Sequence, residues 1–257
     1  MAPVKHSISI IVAALDEGAV IERVVRETHA VAGRCIKTFE IILVNDGSAD
    51  DTGQIMDLLA GELPHTRVLH NELNLGFGAS YLRGVSDARL DYVMLVCGDG
   101  GVPPSYLPAI IEKIGSADIV IPYMSNLREI KTPFRYAVSA AFTAYMNFLT
   151  GHRIRYYNGL AVHRRELVAQ ASIESTGYAF QGELLLKLFR DGCTYVEVQV
   201  AGAEKSHQRS TFIRPRNVAN MFKTCLLLAR EARRPRDMAG LQARSVRRRA
   251  AVRSSPR

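Results

Sequence analysis

The chain has few of the residues that crosslink small secreted domains or bind zinc. Its 257 residues include no tryptophan and only four cysteines. These cysteines form neither a CxxC pair nor a Cys/His pattern with metal-ligand spacing: Cys35, Cys97, Cys193 and Cys225. We therefore expect reduced thiols. A signal-peptide pattern is also missing, as is any apolar run near the ~20 residues of a membrane span. These absences predict a cytoplasmic protein.

Basic charge is in excess only at the C-terminal end. The formal net charge is +8. Residues 230–257 contain ten arginines against Glu231 and Asp237, which accounts for the whole excess and leaves residues 1–229 formally neutral. This basic tail has too little apolar content to pack, so we predict that it is disordered. No aromatic residues accompany its arginines, so we expect no nucleic-acid binding; an anionic membrane surface is the alternative partner.

Strand and helix patterns alternate along the first half of the chain. Predicted strands cover residues 7–13, 39–44, 67–70, 92–97 and 118–122. Predicted helices cover residues 19–31, 50–59 and 105–114, and a further helix runs to about residue 88 from a glycine-rich turn at residues 74–78. Such alternation is typical of right-handed βαβ units. It predicts an α/β fold with a mostly parallel, twisted sheet and flanking helices.

The pattern changes after residue 122. We predict helices over residues 135–150, 180–189 and 218–229, and strands over residues 155–163 and 194–200. The last helix has two interpretations. It packs in the core or in a homodimer interface, or it lies on a membrane whose anionic head groups attract the basic tail.

Polar loops follow four of the predicted strands. They cover residues 15–17 (LDE), 45–48 (NDGS), 71–78 and 98–101 (GDGG). A single acid at a strand end is often an ordinary helix cap. Parallel strands, however, bring all four loops to one edge of the sheet, where α/β folds bind ligands. Together, Asp16, Asp46 and Asp99 indicate a site for ribose hydroxyls, a base edge or a metal ion.

Gly76 and Gly78 precede a predicted helix and match part of a dinucleotide-binding fingerprint. The third glycine is missing, and the turn follows the third strand rather than the first. A Rossmann oxidoreductase is therefore not favoured. The glycines can still make room for a ligand or allow a strand and a helix to pack closely.

In these motifs the chain resembles glycosyltransferase family 2, of the GT-A fold, and most closely its dolichyl/polyprenyl-phosphate sugar transferase branch. The family's P-A-x-N-E segment reads AALDE at residues 13–17, and its D-D-G-S-x-D-x-T segment reads NDGSADDT at residues 45–52. Its N-x-G-x-G-A, F-x-x-E-L and E-V-x-V segments correspond to residues 74–79, 180–184 and 197–200. The correspondence runs in order from about residue 7 to about residue 212.

The resemblance implies one GT-A domain over residues 1–229. Residues 1–123 would form a Rossmann-like nucleotide-sugar half, and residues 124–229 an acceptor-side half. The implied reaction is inverting transfer of a hexose from a UDP- or GDP-linked sugar to polyprenyl phosphate or another membrane-associated acceptor. This would place the chain in the cytoplasm or peripherally on the inner face of the cell membrane. The alternatives are transfer to a cell-envelope glycan, and a catalytically weakened nucleotide-sugar-binding or scaffold protein.

The resemblance also implies roles for individual residues. Asp16 and Asp46 would recognise the base and ribose, and Asp99 would hold Mg²⁺ or Mn²⁺ and the donor diphosphate. The implied donor-binding set is Ala13, Asp16, Glu17, Asp46, Gly76, Gly78, Gly98, Asp99, Lys205 and Arg209. The implied catalytic set is Asp99, Glu183 and Arg135, of which Arg135 would attract phosphate together with Lys205 and Arg209.

Two motifs depart from the family pattern. The D-x-D that grips the metal reads Cys97-Gly98-Asp99, and a thiol is a poor ligand for a hard cation. We therefore expect weaker metal binding than is usual in the family. The R-x-x-G-x-S-K stretch corresponds to residues 205–211 and keeps only Ser210. These departures are the reason for the scaffold alternative.

Overall fold

The computed structural model describes residues 4–177, 180–200 and 215–233. The strands are β1 (Ile8–Ala14), β2 (Phe39–Asn45), β3 (Thr66–His70), β4 (Tyr92–Cys97), β5 (Ile119–Met124), β6 (Val162–Arg164) and β7 (Tyr195–Val200). The helices are α1 (Gly18–Cys35), α2 (Thr52–Glu62), α3 (Phe77–Asp87), α4 (Leu107–Ile111), α5 (Leu127–Ile130), α6 (Pro133–Thr150), α7 (Arg165–Gln170), α8 (Phe180–Arg190) and α9 (Pro215–Arg233).

The strands form one seven-stranded sheet in the order β3-β2-β1-β4-β6-β5-β7. All neighbours are parallel except the two pairs made by β6. Strand β1 is buried along its whole length, as expected for an apolar strand covered by helices on both faces. The predicted α/β fold with a mostly parallel sheet is confirmed.

The register of the central strands positions the site. Ala14 pairs with Asn45, and Ala13 pairs with Cys97, so β1, β2 and β4 end at the same level. The chain order reverses between β1 and β4, which is the kind of switch point where open α/β sheets bind ligands. The acidic loops that follow these strands therefore meet at one edge.

The strand predicted over residues 155–163 is wrong for most of its length, because β6 contains only Val162–Arg164. At the start of the predicted strand, side chains of neighbouring elements form hydrogen bonds with the backbone of residues 154 and 155. The Asn147 side chain bonds both the carbonyl and the N–H of Ile154, at 3.1 and 2.9 Å. Glu197 accepts the N–H of Arg155 at 2.8 Å. These backbone groups are thus satisfied without a sheet ladder.

Two helix predictions need correction as well. The helix predicted over residues 105–114 is a 3₁₀ turn at Pro104–Tyr106 followed by the short α4, which ends at Ile111. The sequence patterns also missed α5 and α7, which have four and six residues. Helices this short carry too little periodicity to be recognised.

Helix α9 is longer than predicted and includes residues 230–233 of the predicted tail. Residues 234–257, with the disorder predicted for them, lie outside the described residues, as do Lys205 and Arg209. Within the described ranges, no helix is both long and apolar enough to cross a bilayer.

Candidate active site

The loops after β1 and β2 are joined by hydrogen bonds that fix Asp16. Its backbone N–H donates to Ser48 Oγ at 3.0 Å, and its Oδ1 accepts the N–H of Ala49 at 2.7 Å. The φ angle of Asp16 is 55°, a left-handed conformation that aspartate tolerates better than most residues. The next N–H, of Glu17, donates to Thr52 Oγ1 at 2.8 Å. The two loops therefore form one rigid wall.

Asp46 organises the loop between β3 and α3. Its Oδ1 accepts Asn71 Nδ2 at 2.7 Å and the N–H of Leu75 at 2.9 Å, and its Oδ2 accepts the N–H of Gly76 at 3.0 Å. The residue is buried. Only Oδ2 retains capacity for a further donor. Asp46 thus shapes the loop between β3 and α3 and has one oxygen left for a ligand.

The glycines of the same loop are required by a close backbone approach. Gly76 has φ of 99°, and a Cβ there would lie 2.8 Å from the carbonyl oxygen of Thr176. The N–H of Gly78 donates to that same carbonyl at 2.7 Å. Of the two predicted roles for these glycines, close packing is the one that these contacts support. The segment that packs against them is the one before α8.

The loop after β4 brings Asp99 to the end of β1. The N–H of Gly98 donates to the carbonyl of Ala13 at 2.9 Å, and a Cβ at Gly98 would lie 2.5 Å from Cβ of Ala14. Asp99 Oδ1 accepts the N–H of Gly101 at 2.9 Å. Glycine at position 98 therefore allows the contact that sets Asp99 in place.

The carboxylates at this edge share one electrostatic environment. Burial and, in decreasing order, the negative charges of Asp99, Asp50 and Asp16 together raise the pKa of Glu17 to about 7. The structure therefore brings Asp16, Glu17 and Asp99 together, as the loop pattern predicted. Their negative charge is not neutralised by an ion pair within the described ranges.

These residues fit a divalent cation held jointly with a phosphate ligand. Of the side chains that the structure describes, no three His, Cys, Asp or Glu residues form a metal cage. Burial, followed by the negative charges of Asp99 and Glu17, raises the pKa of the Cys97 thiol well above its ordinary value, which disfavours the thiolate that a metal ion would need as a ligand. Mg²⁺ commonly uses one or two carboxylates plus substrate phosphates. Asp99 offers that kind of oxygen donor.

A cationic cluster lies at the junction of α5 and α6. Lys131 Nζ donates to Ser139 Oγ at 2.9 Å and to the Tyr156 hydroxyl at 3.2 Å. Burial and the positive charge of Arg135 lower the pKa of Lys131 to about 8. Neither Lys131 nor Arg135 forms an ion pair with the described part of the chain. Two adjacent unpaired cations favour an anionic ligand.

Tyr156 connects the cationic cluster to the acidic edge. Burial and, to a smaller extent, Cys97 raise the pKa of Tyr156 to about 12 against an opposing decrease from Arg135. Sequence reasoning identified Arg135 but missed Lys131, Ser139 and Tyr156. The available signal was local: Lys131 precedes Arg135 by four residues, across the Thr132 cap that accepts the N–H of Arg135.

Glu183 lies away from this surface. Its side chain is fully buried, and its carboxylate accepts two backbone N–H groups and the ammonium of Lys187. These contacts correspond to a positioning role rather than to contact with a substrate. This arrangement favours a positioning role for Glu183 over the catalytic role that the resemblance implied.

A mostly parallel sheet with carboxylates at its switch point, next to unpaired cations, is the arrangement of a GT-A glycosyltransferase. The chain belongs to glycosyl transferase family 2, whose model matches residues 9–169.

Two bacterial relatives illustrate the similarity in sequence. The chain is 28% identical over 176 residues to an undecaprenyl-phosphate mannosyltransferase of Micrococcus luteus, covering 65% of this chain and 72% of the relative. It is 32% identical over 177 residues to a polyprenol monophosphomannose synthase of Mycolicibacterium smegmatis, covering 64% and 67%.

A solved structure shows the same fold. It is the glucosyl-3-phosphoglycerate synthase of Mycobacterium tuberculosis in complex with Mn²⁺, UDP-glucose and phosphoglyceric acid. The superposition has a TM-score of 0.64 at 18% identity and covers 86% of this chain and 80% of that one.

Proposed function

We propose that the chain transfers a hexose, with inversion, from a UDP- or GDP-linked sugar to polyprenyl phosphate. The observation that carries this proposal is that Tyr156 links the acidic edge to the unpaired cations: its pKa is affected by both Cys97 and Arg135, and its hydroxyl accepts a hydrogen bond from Lys131. One side suits a metal-bound diphosphate, and the other suits a phosphate nucleophile. Both bacterial relatives are named for the transfer of mannose to a polyprenyl carrier, which supports this choice of acceptor.

On the donor side, the rigid wall containing Asp16 and the remaining oxygen of Asp46 would bind the nucleoside. Asp99 would hold Mg²⁺ or Mn²⁺, which neutralises the diphosphate and makes it a better leaving group. Solved neighbours contain Mn²⁺ or Mg²⁺ together with UDP, so divalent metals are used within this fold. Lys205 and Arg209 are proposed to add positive charge near the diphosphate.

On the acceptor side, the nucleophile needs no strong base, because a phosphate monoester is already anionic at pH 7. Lys131, Arg135 and the Ser139 hydroxyl would hold its oxygens and align one of them with C1 of the sugar. Alignment and stabilisation of the departing diphosphate are then the main contributions of the protein. Attack from the side opposite the leaving group gives inversion.

A transfer assay tests the proposed function. The protein is incubated with Mn²⁺, polyprenyl phosphate and UDP-glucose or GDP-mannose labelled in the sugar, and the organic phase is counted. Label in the organic phase supports the proposal. Label in a water-soluble glycan favours the cell-envelope alternative. Nucleotide binding without any transfer favours the scaffold alternative, for which Cys97 in place of the first D-x-D aspartate is the specific observation.

The outer surface of α6 is suited to a membrane, where such an acceptor resides. Phe134 and Phe148 are 63% and 84% exposed, and the helix has a single charged residue, Arg135. Leu226 of α9 is 74% exposed and follows Cys225, whose carbonyl accepts the Tyr145 hydroxyl of α6. A single helix face of ~27 Å length offers less than the ~800 Å² per partner of a stable dimer. We therefore propose a bilayer as the occupant.

Substituting both phenylalanines of α6 by serine should weaken binding to vesicles of phosphatidylcholine and phosphatidylglycerol several-fold. Apolar insertion would be lost while the basic residues remain. Co-sedimentation measures the effect. Leu58→Ser is the matched control, because Leu58 is 66% exposed on α2 and should leave vesicle binding unchanged. Equal binding by F134S/F148S, or a wild-type dimer that the double variant dissociates in light scattering, would contradict membrane docking.

A further inference from the structure

We propose that Glu183 and Lys187 position the loop that holds Asp46 and thereby set the affinity for the donor nucleotide, although neither touches it. This inference rests on the proposed function only in that the nucleotide binds beside Asp46. A chain of contacts runs from α8 to the loop between β3 and α3.

The first contacts tie α8 to the segment before it. Glu183 Oε1 accepts the N–H of Glu174 at 2.9 Å, and Oε2 accepts the N–H of Ser175 at 2.8 Å. Lys187 Nζ donates to Glu183 Oε1 at 2.7 Å and also to the carbonyl of Ser172. We call residues 172–176 the bridging segment. Its backbone is held at both ends by one buried ion pair.

The bridging segment supports the loop between β3 and α3. Its Thr176 carbonyl accepts the N–H of Gly78 at 2.7 Å and lies where a Cβ of Gly76 would be, 2.8 Å away. The contact is too close for the loop to move without the segment. The position of the Gly76 backbone is therefore set from behind by the bridging segment.

The same loop binds Asp46 from its other side. The N–H groups of Leu75 and Gly76 donate to Asp46 Oδ1 and Oδ2 at 2.9 and 3.0 Å. A shift of the bridging segment would misalign these donors and turn the carboxylate away from its ligand-binding orientation. Glu183 thus acts on Asp46 through two backbone segments.

The chemistry at Glu183 requires a carboxylate. Its two oxygens each accept a different backbone N–H. Glutamine at this position has one acceptor oxygen and would direct an NH₂ group at the second N–H. Glu183→Gln should therefore release one end of the bridging segment, and Lys187→Met should leave Glu183 as a buried charge without its partner.

Calorimetry with UDP and with GDP in the presence of Mn²⁺ tests the proposal. We expect the Kd of the nucleotide that wild type binds to rise about tenfold in E183Q and in K187M. Leu188→Ala is the control, because Leu188 lies on the same helix and is buried like Glu183. It should lower Tm without changing this Kd. Hydrogen exchange at the Leu75 and Gly76 amides should accelerate in E183Q and K187M but not in L188A. If a single variant does not fold, the double variant E183Q/K187M takes its place, because it leaves no unpaired buried charge.

Unchanged Kd and unchanged exchange at Leu75 and Gly76 in E183Q, with Tm reduced as in L188A, would overturn the positioning role. If wild type binds neither nucleotide, the proposed function fails instead. The exchange rates would then still decide whether Glu183 positions the loop.

Discussion

Asp99→Asn is expected to reduce hexose transfer at least about a hundredfold, the usual loss when one electrostatic stabiliser of a transition state is removed. Asp99 is the one carboxylate that remains from the family's D-x-D, because Cys97 stands at the position of the first aspartate and offers no hard oxygen ligand. Losing it should also remove the dependence of nucleotide binding on Mn²⁺. Transfer of label and calorimetry with UDP or GDP, each with and without Mn²⁺, measure the two effects.

Glu112→Gln is the matched control for this prediction. Glu112 is an exposed carboxylate at the end of α4, and within the described ranges its ion-pair partner is Lys113. The substitution should change neither transfer nor Mn²⁺ dependence. Cys97→Asp is the reciprocal variant and should tighten Mn²⁺ binding by restoring a hard oxygen ligand. Full Mn²⁺-dependent binding in D99N would remove Asp99 from the metal site.

The sequence predicted the central sheet and the acidic edge because both depend on local patterns. Strand β1 is a continuous apolar run, and a buried parallel strand requires just such a run. Asp16 and Asp99 follow such strands directly, so topology alone brings them together. The short strand β6 has no comparable pattern, since side chains such as Asn147 bind the backbone leading into it.

The cationic cluster and the role of Glu183 depend on contacts that no local pattern encodes. Lys131 meets Tyr156 across 25 residues, and the partnership becomes visible only when α6 and the turn before β6 are packed together. Glu183 lies in a family sequence motif, and the motif predicted a catalytic role for it. Its partners are backbone N–H groups eight and nine residues earlier, which carry no side-chain signature.

The second large effect is expected at Lys131 and depends on pH. Below about pH 8 its ammonium is charged and binds the acceptor phosphate; above its pKa of about 8 the charge is lost. The kcat/KM for polyprenyl phosphate should therefore fall about tenfold per pH unit above that value. The phosphate itself does not titrate there, since its second pKa is about 6.

Other groups around Lys131 do not account for such a loss. The pKa of Tyr156 is raised to about 12, and that of Cys97 lies well above its ordinary value of 9.0. Titration of Lys131 does not itself destabilise the fold, as the sign of the linkage shows. The pKa of Lys131 falls from 10.5 to about 8 on folding, so the unfolded chain binds more protons between these values and stability rises with pH.

Lys131→Arg and Lys131→Met show whether the alkaline decrease comes from loss of the positive charge at position 131. Arginine keeps its charge throughout this range, so K131R should retain activity and lose the alkaline decrease. K131M should have low kcat/KM for the acceptor at every pH, also without the decrease, while the KM for the donor stays near the wild-type value. Lys113→Met, at an exposed lysine, is the control and should keep the wild-type profile. An alkaline decrease that persists in K131M would show that another group titrates, and the assignment of the acceptor phosphate to this cluster would then fail.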